Sequence, residues 1–175
     1  MLGTLDTAPA LDRPDLLAAP VAAAAQDLPP DEVLVAPIDP DLADTAAFCA
    51  SYDVGLEVSA NCVVVAGRRG EDVRYAACVV LATTRADVNG VVRRRLDARK
   101  ASFAPMADAV EQTGMEYGGI TPVGLPAGWL LLVDAAVAAT PWVVVGSGLR
   151  RSKLVVPGLL VGALPGAEVV DGLAR

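Results

Sequence analysis

Thr113-Gly114-Met115-Glu116-Tyr117-Gly118-Gly119-Ile120-Thr121-Pro122-Val123-Gly124-Leu125-Pro126 holds the densest glycine and proline punctuation in the chain. Gly118 and Gly119 permit positive φ and close approach of another group to the backbone. Pro122 and Pro126 fix φ and remove two donors, so neither helix nor central strand can run through the segment. It must be a loop, with regular elements on either side. Its backbone N–H and C=O groups need partners, and an acyl or phosphate ester can supply them as well as protein can. Spacing alone favours an ordinary tight connection.

The flanking patterns mix two periodicities. Residues 1–12 read as a flexible leader, and Pro14 to Gln26 as a short helix closed by Leu28-Pro29-Pro30. Val33–Pro37 reads as an edge strand because of Pro37. Asp44 or Thr45 caps a helix running to Tyr52. Val58–Ala66 and Val73–Ala82 form a hairpin across a Gly67-Arg68-Arg69-Gly70 turn, apolar enough to be buried on both faces. A helix follows over Ala86–Leu96, a short strand over Lys100–Ala104, and a helix over Pro105–Gln112 with Gly114 just past its end. Beyond the Gly/Pro loop come strands at Trp129–Val133, Trp142–Gly146, Lys153–Val156 and Val169–Val170. Short helices follow Asp134, read as a cap, and Pro157. The pattern predicts one α/β domain: a mixed, strongly curved sheet flanked by helices. The expected division is a leader and short helix over 1–32 and the domain proper over 33–175.

Composition narrows the chemistry. At 175 residues the chain is long enough for one substantial core. Aromatics make up only 4%, so aliphatic side chains must fill that core. There is no histidine, which removes Ser-His and Cys-His nucleophile activation and most zinc sites. Cys49, Cys62 and Cys78 are widely spaced in apolar surroundings and read as core filler, so neither a metal nor a cofactor is expected. The most membrane-like run, Trp129–Gly146, is broken by Asp134, Thr140 and Pro141 and reads as two buried strands around a short helix. The N-terminus has no basic, then apolar, signal pattern, so the expectation is a soluble, cytoplasmic protein without a membrane partner.

Charge is unevenly placed. Residues 1–44 carry nine acids and one base, a net of −8. With −7 for the whole chain, residues 45–175 sum to +1. The acidic segment would repel phosphate, while the body would not. Bases cluster at Arg93, Arg94, Arg95, Arg99 and Lys100, and again at Arg150, Arg151 and Lys153. Each cluster suits either a solvated face or an RNA backbone. Trp129 and Trp142 read as core residues.

Gly118-Gly119-Ile120-Thr121-Pro122-Val123-Gly124 closely resembles the Gly-Gly-Ile-Ser-Pro-Leu-Gly-type loop of the YbaK/EbsC family, aminoacyl-tRNA deacylases related to the editing domain of bacterial prolyl-tRNA synthetase. The similarity runs from about Val33 to the C-terminus. Val143-Val144-Val145-Gly146-Ser147-Gly148-Leu149-Arg150-Arg151 resembles the family's strand and Gly-Gly-x-Arg-Gly-type turn.

The resemblance implies a YbaK-like fold with a cleft bordered by Asn61, Gly118, Gly119 and the Gly146–Gly148 turn. It places Asn61, Gly118 and Gly119 at catalytic positions. Ile120, Thr121, Pro122, Gly146, Ser147, Gly148, Arg150 and Arg151 fall at substrate-binding positions. Many members carry a lysine in a strand segment like Ile-Ala-Lys-Ser-Leu-Val-Phe. The matching run here is Val58-Ser59-Ala60-Asn61-Cys62-Val63-Val64-Val65, and the lysine position falls on Asn61. Asn61 keeps hydrogen-bonding capacity but cannot offset developing charge. The only lysines, Lys100 and Lys153, do not align with that position. The implied function is trans-editing: hydrolysis of the ester of a mischarged tRNA of the proline system, through backbone groups and without metal or cofactor. The implied partners are the aminoacyl-tRNA acceptor end and a synthetase that presents it, with the oligomeric state open. A different class stays open beside it: an inactive module that binds aminoacyl-tRNA, an amino acid or a synthetase.

Overall fold

The computed structural model describes residues 2–175; Met1 lies outside the described residues. Among the described residues, nine strands form two sheets. The first runs β1 (Ala8–Pro9), β2 (Leu34–Pro37), β8 (Ser152–Val156), β7 (Val143–Gly146) and is antiparallel throughout. The second runs β5 (Lys100–Phe103), β3 (Ala60–Arg69), β4 (Asp72–Leu81), β6 (Leu130–Asp134), β9 (Ala167–Val170). Its β3–β4 and β3–β5 pairs are antiparallel, while β4–β6 and β6–β9 are parallel. The α/β class with mixed strand directions is therefore present. The strands divide into two sheets that meet at a single parallel bridge, Ser59 to Val144, just before β3 begins.

Three apolar layers hold this arrangement. Between the sheets lie Val35, Val143, Val145 and Leu154 from one side and Ala60, Ala77, Val79 and Val133 from the other. Helices α1 (Ala19–Ala25), α5 (Ala135–Ala139) and α6 (Gly158–Gly162) add Val21, Val137 and Val161 to this layer. Outside the first sheet, α2 (Thr45–Tyr52) packs Phe48 and Cys49 on Val144 and Val155. Outside the second, a π-helical turn over Val88–Val92 and α3 (Arg93–Arg95) set Val92 on Val65, Cys78 and Val80. The long hairpin β3–β4 is thus apolar on both faces because each face meets a different layer.

Several local expectations change. Residues 2–12 are not an unattached leader: Ala8 and Pro9 pair with β2, and Ala10 is fully buried in the layer between the sheets. Strand β2 is consequently interior rather than an edge. Pro37 is still tolerated, because β1 pairs only Leu34 and Val35 and leaves Pro37 no partner on that side. The hairpin turn sits at Gly70-Glu71, with Gly70 at φ 65°, so Gly67–Arg69 continue β3. Asn89-Gly90 does not break the helix before Arg93 but widens it into the π-turn, with Asp87 accepting from Gly90 N–H. Asp134 is the cap expected, accepting from Ala136 N–H; its second oxygen accepts from Ala174 N–H. Among the described residues no helix is long and apolar enough to cross a membrane.

Candidate functional site

A cleft of about 310 Å³ opens where the two sheets meet. Its floor is the start of β3, Ala60 to Val64, and one wall is the Gly/Pro loop that follows α4 (Met106–Thr113). The opposite wall is Ala43, Asp44 and Thr45 at the start of α2, with Lys153 from β8. Phe103, Met106 and Tyr117 line its mouth and are 64%, 55% and 54% exposed, unusual for large apolar side chains in so aliphatic a protein.

The Gly/Pro loop is held by the turn after β7. Gly148 N–H donates to Gly119 C=O at 2.7 Å, Glu116 N–H donates to Gly148 C=O at 2.8 Å, and Gly119 N–H donates to Glu116 C=O at 2.9 Å. The approach is too close for side chains. A Cβ on Gly146 would lie 2.2 Å from Gly119 O and 2.6 Å from Ile120 O. Gly118 holds φ 84°, which glycine adopts without strain. Among the described residues, neither Gly118 N–H nor Ile120 N–H has a protein acceptor. Gly118 and Ile120 both line the cleft, so two backbone donors without a protein acceptor stand in its wall.

Of the residues singled out from sequence, Asn61, Gly118, Ile120 and Gly146 come together on the cleft. Gly119 stands behind them with its backbone committed to Glu116 and Gly148. Thr121, Pro122, Ser147 and Gly148 are buried outside the lining. Ser147 Oγ bonds Ser152 Oγ at 2.8 Å, and Gly148 packs on Ala18 and Val21. The Thr121 hydroxyl is buried without a hydrogen-bond partner. Arg150 ties the walls together: its guanidinium donates to Pro40 C=O at 3.1 Å and to Tyr117 C=O at 3.3 Å, and its backbone N–H donates to Glu116 Oε2 at 2.6 Å. Arg151 donates to Asp15 C=O at 2.8 Å.

Asn61 is fixed by Thr45, whose hydroxyl donates to Asn61 Oδ1 at 2.7 Å. Lys153, only 8% exposed, donates to Ala43 C=O at 2.9 Å and sits 5.2 Å from the centre of the Phe48 ring. Burial lowers its pKa, and the Arg150 charge adds to the effect; Cys49 and Asp44 oppose it. From sequence, Lys153 belongs to the basic group with Arg150 and Arg151, read as a solvated face or a phosphate contact, and does not align with Asn61. The available signal was the alternation along β8: Ser152 and Leu154 face the layer between the sheets, so Lys153 must face the other way, toward α2. Cys62 lines the cleft, but burial pushes its thiol pKa up, so it is a poor thiolate nucleophile. No cluster of potential metal ligands occurs among the described residues. Trp129 stacks on Tyr75 at 5.0 Å, and Trp142 is 37% exposed; neither lines the cleft.

A sequence model of the aminoacyl-tRNA editing domain matches residues 39–161, from the turn before α2 to the end of α6. The chain belongs to the aminoacyl-tRNA editing domain family. Solved structures agree on the fold of this editing domain. A proposed trans-editing enzyme for prolyl tRNA synthetase superposes with a TM-score of 0.73 at 20% identity, over 88% of this chain and 94% of that one. Hypothetical protein APE2540 gives 0.69 at 23% identity, over 81% and 90%. A protein from work on computational epitope backbone grafting gives 0.73 at 20% identity, over 88% and 95%. A comparison with curated protein sequences found no match. The editing domain's match begins after β1, α1 and β2, yet α1 and β2 pack into its central layer and β1 pairs with β2.

A second feature lies along the same strand. Arg68, Arg93, Arg99 and Lys100 line a shallow groove at the β5 edge. Arg68 stands four residues beyond Val64 of the cleft floor, about 13 Å at the usual strand rise.

Proposed function

We propose that the protein hydrolyses, in trans, the ester bond of a mischarged aminoacyl-tRNA of the proline system. The observation that carries this reading is the convergence of two unpartnered loop amides, Gly118 N–H and Ile120 N–H, with Asn61 on one cleft of an editing domain. The amides would hold the ester carbonyl oxygen and stabilise it as charge develops. Asn61 Nδ2, left free by the Thr45 bond, would hold the amino-acid or terminal ribose end. Water adds to the carbonyl carbon, the bond to the ribose oxygen breaks, and that oxygen takes up a proton. The products are the free amino acid and a tRNA with a free terminal hydroxyl. The exposed Phe103, Met106 and Tyr117 would stack on the terminal adenine. Phosphates of the acceptor stem would meet the groove of Arg68, Arg93, Arg99 and Lys100, with a synthetase presenting the tRNA.

One observation favours a second reading, a module that binds an aminoacyl end without cleaving it: Asn61 is neutral and its oxygen is already engaged by Thr45. A deacylation panel of mischarged tRNAs, run with wild type and Asn61→Lys, decides between the two. Turnover by wild type supports the hydrolase. Turnover by Asn61→Lys alone supports the binding module.

A further inference from the structure

We propose that Lys153 is the cation of this cleft and that its ammonium contacts the aminoacyl end of the bound substrate; this rests on the reading of the site as an aminoacyl-tRNA cleft. Among the described residues, Lys153 is the one basic residue lining the cleft, and Asp44 the one acid. It reaches the wall from β8, paired in register with Gly146, whose neighbour in space is the Gly119–Ile120 backbone. Its side chain passes through the apolar layer of Phe48, Cys49 and Val155 before its nitrogen meets Ala43 C=O.

Placing an ammonium there is costly unless it is paired. Among the described residues, Lys153 makes no ion pair, and Ala43 C=O is its one acceptor, so two of its three donors are unspent. Asp44, the chain neighbour of Ala43, lies 4.0 Å from Arg150 and is itself mostly exposed. An alkyl side chain would fill this apolar layer without the desolvation cost of a charge. A cation lining the cleft thus keeps two donors for whatever binds there. A partly desolvated ammonium beside a carbonyl oxygen stabilises developing negative charge far better than one in water. Strand β8 thus supplies the charge that Asn61, on β3, does not.

Lysine occurs only at positions 100 and 153, and Lys100 is exposed on β5, so protein labelled with [15N]lysine gives two side-chain signals, one of them an internal control. The ligand probe is adenosine carrying an amide-linked amino acid at its 3′ position, which cannot be hydrolysed. The expected result is a Lys153 Nζ signal that shifts on saturation while Lys100 stays fixed. In deacylation, Lys153→Met is expected to lower kcat about a hundredfold with a small change in KM. The double variant Lys153→Met/Asn61→Lys is expected to recover at least tenfold of that loss, which a purely structural lysine would not allow. A Lys153 signal unmoved by saturating analogue, or a Lys153→Met enzyme with wild-type kcat, overturns the proposal while wild-type turnover leaves the hydrolase reading standing. A shift of the Lys153 signal in a protein that hydrolyses no mischarged tRNA upholds the contact and overturns hydrolysis. Failure of the analogue to bind overturns both. The labelling arm uses wild type, so it decides the matter even where Lys153→Met does not fold.

Discussion

Thr45 Oγ1 donates a 2.7 Å hydrogen bond to Asn61 Oδ1, tying the first residue of α2 to the floor strand of the cleft. The bond fixes which end of the amide faces inward. Oδ1 accepts from Thr45 and Nδ2 has no acceptor among the described residues, so Asn61 offers two donors to whatever occupies the cleft. A residue read from sequence as a neutral stand-in thus becomes an oriented donor through a partner 16 positions away.

Thr45→Val keeps the shape and removes the orienting hydroxyl. A hydrogen bond of this kind contributes about 1 kcal/mol net, so kcat/KM for deacylation should fall roughly fivefold. Analogue affinity should fall in proportion, with little change in melting temperature. An unchanged kcat/KM would show that Asn61 needs no orienting.

Gly146→Ala puts a methyl where Gly119 O and Ile120 O already stand, at 2.2 and 2.6 Å. Both obstacles are backbone, so the loop must move. Overpacking of this kind costs about 1–3 kcal/mol, to be read from urea denaturation midpoints, and deacylation should be lost with it. Wild-type stability in this variant would mean that the loop is not clamped by β7.

The lowered Lys153 pKa gives stability a pH dependence of known sign. Between the lowered folded value and the unfolded 10.5, the unfolded chain binds the extra proton, so this group's contribution to stability rises with pH. At neutral pH the buried charge is a cost, which Lys153→Met removes along with the bond to Ala43. The stability of wild type relative to Lys153→Met should therefore improve from pH 7 to 10. The Cys62 and Cys78 thiols, whose pKa values burial raises, act the opposite way but are common to both proteins and cancel in the difference, whereas Cys49 is coupled to Lys153 and is part of what the difference reads. A difference that is flat with pH, measured by urea denaturation, would contradict the burial of a charged lysine.

Deleting residues 1–30 to relieve the acidic N-terminal repulsion should unfold the domain instead. Leu16, Leu17 and Val21 are buried in the layer between the sheets, and β1 pairs with β2. Each such side chain contributes about 1.5–3 kcal/mol, which together is comparable to the whole stability of a domain. A truncated protein with a native melting profile would refute this.

If the β5-edge groove meets RNA, Arg68→Ala/Arg99→Ala/Lys100→Ala should lower the magnitude of the log–log salt slope for tRNA binding. The drop should be about 0.9 for each duplex phosphate that these side chains no longer neutralise. Arg150→Ala should change the slope less than that triple variant, because the guanidinium already donates to the Pro40 and Tyr117 carbonyls, and should speed amide exchange at Tyr117–Gly119. A slope that responds only to Arg150 would reverse these roles.

The Gly118-Gly119-Ile120-Thr121-Pro122 loop, the cap at Asp134, the helix ending at Gly114 and the long β3–β4 hairpin were all legible, because each is a local rule acting within a few residues. The two-residue strand β1 was not legible: nothing in Ala8-Pro9 distinguishes it from a leader except the partner at Leu34–Val35, supplied from elsewhere in the chain. Asn61, Gly118, Ile120 and Gly146 could be named from their motifs, but not which of the motif residues face the cleft. Ser147 and Thr121 carry hydroxyls that invite a functional reading, yet both are fully buried.

The sequence by itself determined the α/β class and the loop, since proline fixes φ and glycine permits positive φ wherever they stand. Only the tertiary structure decided the charge of the cleft. Lys153 lies 92 positions beyond Asn61 and enters the cleft because β8 sets it in register with Gly146 of β7, the glycine on which the loop closes. Such a meeting depends on strand register and on how two sheets are set against each other. Local patterns specify neither.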